Sequence, residues 1–262
     1  MPQCHDVASA GVNLLLYLSQ SARNRADIVL RYDTVRLITA AFVVARRLRD
    51  DSVAVNLQRL ICNLAMSDRL RRQLRDDFEQ SVLSSFDSLL QSDDALTAGE
   101  GGTLSVKTMV NLCGDEWIRR RLSDSRTTWS ASVSALDRLV TDRRQSTTTE
   151  LLSTLLSLLS NMAINGTSTA SQHDLVQLSG TCVDLLTEFS AGSDNAGELV
   201  DRCYLVLSRI LRASPPQIEV FSDLCSYFVL YETSGLCVAA NSTKNNNRDN
   251  RTKKFSAERL NM

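Results

Sequence analysis

Apolar residues recur at helical spacing along most of the chain. Leu57, Leu60, Ile61, Leu64 and Ala65 fall at i, i+3, i+4, i+7 and i+8, which is one face of a helix. The same pattern predicts helices over 7–19, 28–30, 35–48, 69–80, 81–90, 103–113, 117–122, 128–139, 150–164, 172–178, 181–189 and 197–211, with a last apolar stretch over 218–240. Polar breaks separate them at Arg31 to Thr34, Arg49 to Ser52, Gln91 to Gly102, Thr141 to Thr149 and Ala191 to Ala196. Asp51 or Ser52 is placed to cap the helix that follows. Gly114 and Asn165-Gly166 stand where a helix C-terminus takes glycine. Pro215-Pro216 stops the helix before it, because proline cannot continue one. The apolar segments carry the helical period throughout, so the fold class is all-α.

One residue type interrupts the apolar faces at regular intervals. Asparagine is a poor helix former, since its side chain competes for backbone hydrogen bonds. Yet Asn13, Asn63, Asn111 and Asn161 each sit within a helical pattern, spaced by 50, 48 and 50 residues. Another 48 residues leads to Arg209, again inside an apolar helix. Each unit reads as helix, short break, helix, loop, long helix, and about five such units fill residues 1–240. Residues 241–262 are polar, asparagine-rich and mildly basic, and are expected to form a disordered tail.

Helical repeats of about 40–47 residues belong to the armadillo and HEAT classes. The long helices resemble the third helix of armadillo repeats, whose pattern ends in Asn-Leu-Ala. The matches are Asn63-Leu64-Ala65, Asn111-Leu112-Cys113 and Asn161-Met162-Ala163. Gly180 is similar to the glycine that such repeats place between their first two helices. The resemblance implies an armadillo/HEAT-like right-handed α-solenoid and a protein or peptide partner. It departs from the pattern at Arg209, at Tyr32, and one turn before each rung. Ser9, Arg59, Lys107, Ser157 and Leu205 stand there instead of the tryptophan some armadillo proteins carry. The family also forms the second half of chaperones with tetratricopeptide repeats, such as myosin chaperones and dynein assembly factors. The chain resembles such a half, which implies a co-chaperone or assembly role.

Composition narrows the function classes. Hydrophobic residues make up 43% of the 262 and aromatics only 5%, as suits a helical core. The net charge of −1 provides no global field for nucleic acid or an anionic membrane. No apolar run approaches the roughly 18 residues of a membrane span. The N-terminus carries Asp6 and lacks a basic region, so no signal peptide is expected. Seven cysteines without a C-x-x-C fit small buried hydrophobes in a reducing compartment, and a cytoplasmic setting is expected. Catalysis has little to draw on. Only His5 and His173 are present, and no nucleophile elbow, zinc-protease, phosphate-loop or dinucleotide signature occurs. Glu100-Gly101-Gly102 lacks the lysine of a phosphate loop, and Cys4 and His5 have no further ligand nearby. The chain is expected to be no enzyme and to need no metal, cofactor or small-molecule substrate.

The ladder leaves two readings open. In one, each amide ties a neighbouring helix. In the other, Asn13, Asn63, Asn111 and Asn161 face a concave groove and bond the backbone of an extended peptide, since asparagine is donor and acceptor together. Arg59, Lys107 and Arg209 would then line that groove and select an acidic segment. A purely structural repeat block and a nucleic-acid-binding repeat, the latter through basic stripes, are the alternatives.

Overall fold

The computed structural model describes residues 2–47, 52–97, 100–141, 149–189 and 197–213. The chain divides into two compact units, Met1–Pro215 and Pro216–Met262. The expected tail, the 218–240 stretch and the loop at 191–196 lie outside the described residues. Among the described residues every regular element is helical. In chain order these are α1 (Pro2–Leu18), α2 (Ala22–Arg31), α3 (Thr34–Arg47), α4 (Ser52–Leu64), α5 (Asp68–Gln73), a π-helical stretch (Phe78–Leu83) and α6 (Ser84–Leu90). Then come α7 (Asp93–Thr97), α8 (Glu100–Leu112), α9 (Glu116–Asp124), α10 (Arg126–Thr141), α11 (Thr149–Ala163), α12 (Gln172–Phe189) and α13 (Gly197–Ala213).

The rung-bearing helices pack in succession: α1 on α4, α4 on α8, α8 on α11 and α11 on α13. A second row, α3, α6, α10 and α12, packs in the same order and backs onto the first. The core lies between the rows. Ile61, Leu64, Met109, Leu112, Leu155, Leu158, Leu159 and Met162 come from the rung helices, and Phe42, Phe86 and Trp129 from the second row. Position in the stack explains composition. Helix α11 is flanked by α8, α13, α10 and α9, and it is apolar on nearly every side.

Local chemistry sets several boundaries that periodicity alone places differently. The helix expected over 69–80 ends at Gln73, and a π-helical stretch follows at Phe78–Leu83. Leu70, Leu74, Phe78 and Val82 are all fully buried at steps of four. Leu70 lies on α5, Leu74 in the turn that follows, and Phe78 and Val82 on the π-helical stretch. The break expected at Gly180 is absent, because α12 runs continuously from Gln172 to Phe189. Gly180 sits exposed on it with nothing near an added Cβ, so neither turn nor crowding requires glycine there. The loop expected over 91–102 contains α7 and the start of α8. Gly101 and Gly102 are helical there because α8 packs tightly on its neighbours. A Cβ on Gly102 would lie 2.0 Å from the Leu96 carbonyl oxygen, and one on Gly101 would lie 2.8 Å from Gln58.

Two glycines thought to end helices do so differently. Gly166 has φ +107 and follows α11 in the left-handed conformation. Gly114 has no positive φ. It leaves room for Arg71, whose guanidinium would stand 2.2 Å from an added Cβ. That guanidinium donates to the Asn111 carbonyl at 2.9 Å, an oxygen that also accepts the Gly114 N–H at 3.2 Å.

Candidate functional site

The rung side chains reach backwards along the first row. Asn63 Nδ2 donates to Ser19 Oγ at 3.0 Å, just beyond the end of α1. Asn111 Nδ2 donates to the Cys62 carbonyl at 3.0 Å, in the last turn of α4. Arg209 donates to the Ser160 carbonyl at 2.7 Å and to Ser160 Oγ at 2.6 Å, in the last turn of α11. The last four carbonyls of a helix have no partner within it. The rungs of α8 and α13 thus supply donors for orphan acceptors of the preceding helix. Asn13 is exposed, and its Oδ1 accepts from Asn56 Nδ2 at 2.8 Å. Asn161 is half-buried, and its amide has no hydrogen bond among the described residues.

The basic residues one turn before the rungs reach forwards. Arg59 Nε donates to Glu100 Oε1 at 2.9 Å, and its terminal nitrogen contacts the other oxygen, a two-point pairing. Lys107 pairs with Glu150. Glu100, Glu150 and Glu198 occupy the first turns of α8, α11 and α13, where a carboxylate also suits the positive helix terminus. They stand eleven residues before Asn111, Asn161 and Arg209, a register not apparent from the asparagines alone. In the fourth unit Ser157 bonds within its own helix at Ser153, and Ser153 Oγ donates to Glu198 at 3.3 Å. The hydrogen bond from Arg59 holds the Glu100 carboxyl below its usual range and raises the guanidinium in turn. Arg209 moves the other way, because burial and then the neighbouring Arg119 and Arg202 disfavour its charge.

The second row has ties of its own. Asp87 on α6 accepts from Thr128 at 2.8 Å and Thr127 at 3.2 Å. Fifty residues on, Asp137 on α10 accepts from Thr181 and Gln177, both at 3.0 Å. Burial raises the Asp87 carboxyl pKa against the opposing effect of its two threonines. The sequence reading missed this pair, although their spacing equals that of the asparagines.

Outside the ladders, one cleft gathers three arginines and a single carboxylate. It has a volume of about 710 Å³ and lies between α2 and α5, with Arg25, Arg69, Arg72 and Met66 on its walls. Arg25 donates to the Ser19 and Gln20 carbonyls, and Arg72 to the Asp68 carbonyl. Arg69 has no ion pair among the described residues. The carboxylate of Asp68, also in the cleft wall, is engaged by Arg71. Met66 is 43% exposed beside them.

The residues considered for catalysis do not converge. His173 is exposed in the first turn of α12, and His5 has no described side-chain environment. The cap of α12 is formed by Ser171 and Asp174, whose side chains each accept the other's backbone N–H, at 3.0 and 3.1 Å. Among the described residues no group of three His, Cys, Asp or Glu is placed to hold a metal ion, and no helix is long and apolar enough to cross a membrane. No protein-family model matches the chain, and neither a curated protein nor a solved structure matches it.

Proposed function

We propose that the chain is an armadillo-like α-solenoid and a non-enzymatic scaffold that takes an acidic segment of a partner protein in the cleft between α2 and α5. The repeat reading is supported by ties that recur one unit apart: Asn111 to Cys62 and Arg209 to Ser160 backwards, Arg59 to Glu100 and Lys107 to Glu150 forwards. Stacked units of this kind present extended surfaces on which a partner can lie. The ladder itself is poorly placed to read a peptide. Asn63, Asn111 and Arg209 are bonded to the preceding helix, and Arg59 and Lys107 are bonded to glutamates of the next.

The preference for acidic segments passes to the cleft. The observation that carries it is the set Arg25, Arg69 and Arg72, three guanidiniums that share a wall with no unengaged carboxylate. Guanidinium matches carboxylate in two-point geometry, and Met66 adds apolar contact for a residue between two acids. A cytoplasmic co-chaperone or assembly factor is one setting for such a scaffold. A purely structural block would leave the cleft without a ligand.

The test is fluorescence anisotropy with a labelled peptide of alternating glutamate and leucine, beside a single-stranded oligonucleotide of equal charge. Binding of the peptide, lost in Arg69→Glu with Arg72→Glu and kept in Lys107→Glu, is the expected result. Tighter, steeply salt-dependent binding of the oligonucleotide would move the chain to the nucleic-acid class. Binding indifferent to the cleft pair would remove the cleft from the argument.

A further inference from the structure

The first row is incomplete at α1. Helices α4, α8 and α11 each have a rung helix on both sides, whereas among the described helices α1 has only α4. Its composition suits a position inside the row. Val12, Leu15 and Leu16 are half-buried on one side. On the other side Val7, Leu14 and Tyr17 are 73%, 60% and 71% exposed. A helix apolar on both sides belongs between two others. Val7, Leu14 and Tyr17 are the most exposed large apolar residues described, and they lie at i, i+7 and i+10, a single stripe. Gly11 lies within it with nothing near an added Cβ, which leaves room for close approach by another backbone.

The polar part of the interface is also present and unused. Along the row three of the four later rungs donate to the end of the helix before them: Asn63 to Ser19, Asn111 to Cys62 and Arg209 to Ser160, with Asn161 the exception. Asn13 holds the first rung, bordering the stripe. Its Oδ1 is engaged by Asn56, and its Nδ2 has no acceptor among the described residues. The ties also fix direction. Residues 13 and 19 of α1 meet 56 and 63 of α4, and 59 and 62 of α4 meet 100 and 111 of α8, so neighbours in the row run parallel.

We propose that this face of α1 is a docking site for a helix of a partner protein, lying parallel to α1 as α1 lies along α4. Its apolar stripe covers Val7, Leu14 and Tyr17, and a carbonyl of its last turn accepts from Asn13. Continuity with the α1–α4 and α4–α8 interfaces selects this occupant. The face has the apolar stripe and the rung donor that α4 and α8 use towards their predecessors. An extended peptide would offer free carbonyls to Asn13 but no helical stripe to interlock with Val7, Leu14 and Tyr17.

The probe is a labelled, end-capped peptide of residues 52–67, the helix that already presents Cys62 to a rung. It is titrated with the full chain and read by anisotropy. The expected result is saturable binding with a micromolar Kd, weakened at least tenfold by Leu14→Asp and several-fold by Asn13→Ala. Val176→Asp, at an exposed apolar residue on α12, should leave it unchanged. Circular dichroism should show both α1 variants folded as the parent is, since Asn13 and Leu14 are exposed. No binding by the parent chain at the solubility limit of the peptide, or an equal loss in Val176→Asp, overturns the proposal. So does a dimer in sedimentation equilibrium that Leu14→Asp dissolves, which would give the face to a second copy. The arginines of the α2–α5 cleft play no part in this measurement, so its outcome is independent of theirs.

Discussion

Arg209 stands 2.7 Å from the Ser160 carbonyl, and Ser160 precedes Asn161 just as Cys62 precedes Asn63. The fifth rung has changed residue type and kept its acceptor. The side chain conserves the supply of a donor to the last turn of the preceding helix, a task that either an amide or a guanidinium performs. An arginine pointed into a peptide groove would have no reason to find that carbonyl.

Removing two rungs together should therefore weaken the fold. Asn63→Ala with Asn111→Ala takes away two hydrogen bonds of about 1 kcal/mol each and leaves the Cys62 carbonyl without its donor. Alanine returns roughly half a kcal/mol per site as the better helix former. A thermal melt should fall by a few degrees. An unchanged or raised melting temperature would restore the groove reading, in which the amides face water.

Two glycines should respond with opposite sign to the same substitution. Gly102→Ala drives a Cβ into the Leu96 carbonyl oxygen, a backbone atom that cannot rotate away. The cost should be several kcal/mol or a failure to fold. Gly180→Ala meets nothing, in the middle of α12, and should stabilise by up to about 1 kcal/mol. Paired urea titrations check both. A destabilised Gly180→Ala would point to a packing role that its surroundings do not reveal.

The ladder was legible in the sequence because one residue type, unfavourable in a helix, recurs at near-constant spacing. Its direction was not. Whether Asn111 meets a peptide or the Cys62 carbonyl depends on how closely α4 approaches α8, which only packing determines. Arg59 and Lys107 were visible as cations. Their partners Glu100 and Glu150 lie 41 and 43 residues away, and only counting back from each rung aligns them. Gly180 misled because glycine usually punctuates a helix, and here α12 is secured on both sides of it by Leu178 and Cys182. The cleft residues Arg25, Arg69 and Arg72 carry no signal in the sequence, since a surplus of cations appears only when their carboxylate neighbours have been paired off.

The Arg59–Glu100 pair should be measurable and modest. A double-mutant cycle with Arg59→Ala and Glu100→Ala should give a coupling of about 0.2–1 kcal/mol, because both side chains are close to half exposed. Raising the salt concentration should diminish it. A coupling of several kcal/mol would mean the pair is far less hydrated than its exposure indicates.

Alkaline pH should expose the burial of Cys113. Burial pushes its thiol from 9.0 up to about 12 in the folded chain. The unfolded chain ionises first, so stability is intact below pH 9 and declines as pH rises towards 12, at up to about 1.4 kcal/mol per pH unit. Cys113→Ala should flatten that limb of the pH–stability curve at the expense of a small cavity. A limb unchanged in Cys113→Ala would assign the alkaline loss to other groups.

The forward ties span 41 residues from Arg59 to Glu100, 43 from Lys107 to Glu150 and 45 from Ser153 to Glu198. The two cation ties differ in interval, and Ser153 starts one turn earlier on its helix, while the acceptor stays a glutamate in the first turn of the next rung helix. Each unit is thus indexed by its fasteners and not by residue number. The connection ahead of each rung helix can gain or lose residues without shifting the frame. Length variation among descendants of this chain should collect in those connections, and a one-residue insertion there should be silent where the same insertion between Asn56 and Asn63 would rotate Asn63 away from Ser19 while Asn56 keeps Asn13.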